Sequence, residues 1–81
     1  MDFKKNAETY LRSFIKEKMN HGSSAEEAVY MLKRELAKVT KPLAADGDIR
    51  KAVDAMQKAE RCTLDTALTK LKLFAYNHDW I

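Results

Sequence analysis

Cysteine and proline occur once each, and glycine twice, in 81 residues. The lone cysteine, Cys62, forbids a disulfide framework within the chain. Small secreted domains rely on such bridges, so a reducing cytoplasm is the expected location. So little glycine and proline argues against a β-sandwich, whose many turns consume both. No run approaches the ~18–20 apolar residues of a membrane span, so no membrane partner is expected. The first residues lack the apolar stretch of a secretory leader. Met1-Asp2 lacks the glycine that N-myristoylation requires.

Catalytic and metal-binding patterns are equally scarce. Neither the glycine-rich phosphate loop nor the dinucleotide fingerprint is present. Metal sites need clustered ligands, whereas His21, Cys62 and His78 each stand alone near a helix end. His78 and Asp79 are adjacent, not three or four apart as convergence on a helix requires. Glu26-Glu27 falls where a helix dipole favours negative charge. Asp46-Gly47-Asp48 lacks the ligand series of a calcium loop. The expectation is no enzyme, no metal, no cofactor and no small-molecule substrate. The remaining route to catalysis is Cys62 acting as a nucleophile beside a histidine.

What the chain has is helix-forming sequence. Hydrophobic residues make up 46%, and alanine, leucine, lysine and glutamate, all good helix formers, dominate. Asp2 can cap a first helix from Phe3 to about Asn20, closed by His21-Gly22. Its apolar residues Phe3, Ala7, Tyr10, Leu11, Phe14, Ile15 and Met19 span nearly half the helix. Such an arc suits a helix wedged between two neighbours. Ser24 and Glu27 form a capping box for a second helix, Ala25 to Val39, whose stripe leaves Tyr30 far outside. Pro42 breaks the chain, and a short turn is expected at Pro42 to Ala45. Asp48 is the expected cap of a third helix, Ile49 to Arg61, and Thr63 of a fourth, Leu64 to Tyr76.

The expected fold is all-α: one domain over residues 1–81, with four helices in two antiparallel hairpins. Its expected core is Phe3, Ala7, Tyr10, Phe14, Val29, Leu32, Leu36, Val53, Met56, Leu68, Leu71 and Phe74. A shift of 39 residues superposes Ser24 on Thr63, Ala28 on Ala67, Leu32 on Leu71 and Lys33 on Lys72. Any two capped amphipathic helices match nearly as well. The stretch Met19 to Lys33, MNHGSSAEEAVYMLK, resembles the first loop and second helix of ubiquitin-associated domains. That loop here, Met19-Asn20-His21-Gly22, lacks the family's apolar contact residue, so no ubiquitin binding is carried over.

Two surfaces remain as candidates. Ile15, Met19, Leu73, Tyr76, Trp80 and Ile81 exceed what a small core needs. They are expected either to fold the tail back across helix 1 or to form a protein-partner or homodimer interface. Lys5, Arg12 and Lys16 on helix 1, with Arg50, Lys51, Lys58 and Arg61 on helix 3, are candidate nucleic-acid contacts. A helix-turn-helix reading of Met19 to Arg34 fails because Glu26-Glu27 would repel phosphates. The first expectation is therefore a small regulatory or adaptor protein that binds another protein, as accessory regulators of phages and mobile elements do. RNA or DNA binding through the basic faces is the alternative.

Overall fold

The computed structural model describes residues 3–78 and 80. Among these, four α-helices and one short 3-10 turn account for nearly the whole chain, with no strand. They are α1 (Phe3–Asn20), α2 (Ala25–Lys38), α3 (Gly47–Glu60) and α4 (Leu64–Asn77), with the 3-10 turn at Pro42–Ala44. The proposed Asp2 cap lies outside the described residues.

The turns explain the boundaries. Gly22 adopts φ +102°, while Ser23 N–H donates to Lys18 O at 3.1 Å and Gly22 N–H to Met19 O at 3.0 Å. This is a Schellman closure, which needs a left-handed residue. The Ser24 hydroxyl then accepts from Glu27 N–H at 3.2 Å and starts α2. The second turn repeats the first. Cys62 N–H donates to Gln57 O at 3.4 Å, and the Thr63 hydroxyl accepts from Thr66 N–H at 3.3 Å. Here Arg61, at φ 49°, occupies the left-handed position held by Gly22 in the first turn. The repeat with period 39 thus extends to the hydrogen-bonding of both turns, and Ala28, Ala67, Leu32 and Leu71 are all fully buried. A side chain in this region costs about 1–2 kcal/mol. Arg61→Gly is therefore expected to raise stability by about 1 kcal/mol after the added unfolded-state entropy of glycine. Gly22→Ala should lower it by a similar amount, both read from urea unfolding midpoints.

Helix α3 corrects one expectation. Its N-cap is Asp46, not Asp48, and Asp46 makes no side-chain capping bond. Gly47, at φ +53°, turns the chain into the helix early, and Arg50 N–H reaches Asp46 O at 3.1 Å. Asp48 is left inside the first turn, where the helix dipole still favours its charge. The Arg50 guanidinium ties down the preceding connection by donating to Pro42 O at 3.3 Å and pairing with Asp54 at 3.2 Å.

The helices close a ring: α1 packs most extensively on α3, then α3 on α4 and α1 on α2, with α2 and α4 meeting least. Lys58 lies over Phe3 and Lys51 over Tyr10, so α1 and α3 run antiparallel. Ala7, Ala28, Ala52, Ala67 and Ala75 are fully buried, which lets every helix approach its neighbours closely. The largest fully buried side chains are Leu11, Leu32, Leu36, Val53, Met56 and Leu71. This revises the expected core on α1. The buried line is Ala7, Leu11 and Ile15, spaced by four residues, while Phe3, Tyr10 and Phe14 are half-buried on its flank. Phe74 is likewise half-buried. A wide apolar arc has only one centre, and the neighbours choose which residues occupy it. No described helix is long and apolar enough to cross a membrane.

Candidate functional site

The groups with catalytic potential stand apart. Lys4 meets Glu60 at 3.8 Å, which places Cys62 at the N-terminal end of α1. His21 follows the other end of that helix, and His78 lies a full α4 away from Cys62. No histidine is placed to activate the thiol, which is half-buried against the core. Among the described residues, no three His, Cys, Asp or Glu side chains cluster closely enough to hold a metal ion.

The basic candidates do not assemble into one face. Arg12 donates to Glu8 at 2.9 Å and sits over the Trp80 ring at 5.3 Å, on the flank of α1 that faces α4. Lys51 and Lys58 lie on the opposite flank, in a groove of 410 Å³ lined by Phe3, Asn6 and Tyr10. Arg50 is committed to Asp54 and the Pro42 carbonyl. Arg61 is exposed at the α3–α4 turn, and Lys5 and Lys16 are exposed on α1.

The apolar candidates divide as well. Ile15 is core, at 8% exposure, so it is no surface residue. Trp80 is half-buried, and its indole N–H donates to Ala75 O at 3.0 Å. The Trp80 ring meets Phe74 and His78 edge-on, while His78 stacks on Phe74 at 5.3 Å. The His78 Nε2, closed off from solvent, lies 3.3 Å from a Glu8 carboxylate oxygen, too poorly aligned to count as a hydrogen bond. Trp80 thus lies back over the end of α4 and against Arg12 of α1, which for this residue is the first of the two fates expected. Ile81 lies outside the described residues. Met19 is exposed, but about three turns beyond Glu8 along α1.

Leu73 and Tyr76 remain, 58% and 53% exposed, on adjacent turns of the outer side of α4. Lys33 of α2 reaches across to lie over the Tyr76 ring at 5.8 Å. One turn before it stands Tyr30, 66% exposed. Tyr30, Lys33, Tyr76 and Leu73 therefore form a continuous surface spanning α2 and α4, the thinnest seam of the ring. On the other flank of Leu73, a hollow of 320 Å³ is lined by Met56 and Phe74 and rimmed by the Lys4–Glu60–Lys70 ion pairs. The sequence pointed to Leu73 and Tyr76 because both fall outside the α4 stripe. Tyr30 was as visible on α2, but only the packing of α2 on α4 joins it to them. Comparison of this chain with protein-family models, with curated proteins and with solved structures finds no match.

Proposed function

We propose that this chain is a small protein-binding module, of regulatory or adaptor type, that acts by docking rather than by catalysis. Its docking face is the outer surface of α2 and α4 centred on Leu73 and Tyr76. The observation that carries this reading is the adjacency of those two large exposed side chains, extended by Tyr30 through Lys33. Aromatic residues are enriched where protein interfaces bury their centres. Their removal should be nearly silent for the fold, because surface changes of this kind shift stability by only about 0.5 kcal/mol.

RNA or DNA binding is the less favoured reading. It draws on Lys51 and Lys58, but Arg12 and Arg50 already have carboxylate partners, and the cations lie on different flanks. The deciding experiment compares tagged wild-type protein with a Leu73→Asp, Tyr76→Ser variant, each recovered from native cells at low salt with and without nuclease. The expected result is a defined protein that survives nuclease and is lost from the variant. Co-purifying nucleic acid whose digestion removes all bound protein overturns the docking reading.

A further inference from the structure

We infer that the α2/α4 face receives an acidic amphipathic helix of a partner protein; this rests on the docking reading above. The argument comes from where charge is left uncompensated. Lys4, Arg12, Lys38, Arg50 and Lys70 each have a carboxylate within ion-pair distance. Among the described residues other cations have none, including Lys51 and Lys58 in the groove beside Phe3 and Tyr10, and three of the unpaired ones, Lys33, Arg34 and Lys72, belong to the face of Leu73 and Tyr76. Lys33 and Arg34 stand on α2, and Lys72 on α4, one residue before Leu73 and one turn before Tyr76. Unpaired cations and exposed apolar side chains thus coincide on one surface. Of the acids of these helices, Glu26, Glu27 and Asp65 are held in the first turns, about two turns from Lys33 and Lys72, and Glu35 is paired with Lys38 at 3.7 Å. The face is apolar and basic in the middle, with its negative charge at the ends.

A helix lying in the seam between α2 and α4 would set its apolar positions on Leu73 and Tyr76, as amphipathic helices do in grooves. Carboxylates beside its apolar stripe would then meet Lys33, Arg34 and Lys72. A second copy of this chain is a poor occupant. A two-fold interface sets a patch against itself, so the same three cations would oppose one another, in a chain that already carries a net charge of +3.

The test places a photo-crosslinking benzoylphenylalanine at Leu73, or at Lys16 on α1 as the control, in the full chain expressed in its native cells. The segment trapped from position 73 is identified by mass spectrometry, made as a peptide and titrated against the protein. The peptide is expected to be helical when bound and rich in Asp or Glu. Lys33→Glu, Arg34→Glu, Lys72→Glu together should weaken it at least tenfold, and replacing its carboxylates by lysine should restore binding to that variant. If circular dichroism shows the triple variant unfolded, the three glutamine substitutions replace it, with the same loss expected. A trapped segment that is neutral or basic, a second copy of this chain, or unchanged affinity in the variants overturns the acidic-helix inference and leaves the docking face standing. Crosslinking from Lys16 but not from Leu73 overturns the docking face itself.

Discussion

Leu11→Ala should remove about 3 kcal/mol of stability, the mid-range for deleting a fully buried leucine. Leu11 is fully buried in a single core to which all four helices contribute, so the cavity has little freedom to collapse. At this chain length each kcal/mol moves the melting temperature by about 4–8 °C, so the midpoint should fall by more than 10 °C. A domain this small has only a few kcal/mol in hand, and a substantial unfolded population at 37 °C follows. Phe3→Ala is the informative partner. Phenylalanine is the larger residue, but Phe3 is half-buried on the flank of α1 beneath Lys58. Its loss should cost less than half as much as that of Leu11. Thermal melts followed by circular dichroism decide the order, and a larger loss for Phe3 would mean that α1 is rotated from the orientation described.

Trp80→Ala should cost about 2 kcal/mol, below the range for a fully buried tryptophan because the ring is only half-buried. The change removes the cover over Phe74, the seat of the Arg12 guanidinium, and the donor that satisfies Ala75 O. Trp80→Phe keeps an apolar ring but loses the N–H donor, and should fall between the two. The same clamp makes the tail sensitive to acid. The hydrogen bond from Arg12 holds the Glu8 carboxyl below its ordinary value of 4.5, and the nearby His78 adds to the effect. A carboxylate whose folded pKa is depressed contributes stability above its unfolded value, and that contribution is lost as pH falls through the folded value. The Glu8 contribution is therefore complete above about pH 5 and disappears below pH 4.5. Trp80 is the chain's single tryptophan, so its emission reports on the tail directly. The emission should shift to longer wavelength on acidification below that range, and Glu8→Gln should flatten this step. An identical acid transition in Glu8→Gln would remove Glu8 from the clamp.

Several features were legible because they are settled within a few residues. Ser24, Thr63 and Gly22 mark helix ends by satisfying backbone groups three to five positions away, and all three act as their sequence positions imply. The fourfold helical plan follows from those ends and the apolar spacing between them. Arg61 was illegible as a left-handed residue, because local preference disfavours a side chain there and only the closure of the second turn imposes it. Asp48 was misplaced by one short step, since Gly47 can enter the helix with a backbone geometry that no side chain announces.

The candidate surfaces were legible as lists and not as places. Leu73 and Tyr76 stood out on α4 alone, but Ile15 has the same character on α1 and is buried. Lys33 and Arg12 read alike as exposed cations. Helical spacing gives Arg12 the carboxylate of Glu8, one turn earlier, while packing adds an indole to Arg12 and gives Lys33 only the Tyr76 ring. The sequence alone determined the helices, most of their ends and the supply of apolar and basic residues, because backbone hydrogen bonds and helical spacing are short-range. Tertiary structure decided which part of each apolar arc is core, that Trp80 closes the bundle, and which cations stand beside Leu73 and Tyr76. Burial, and ion pairs between helices such as those of Glu60 with Lys4 and Lys70, depend on neighbours from other segments, and no residue carries that information by itself.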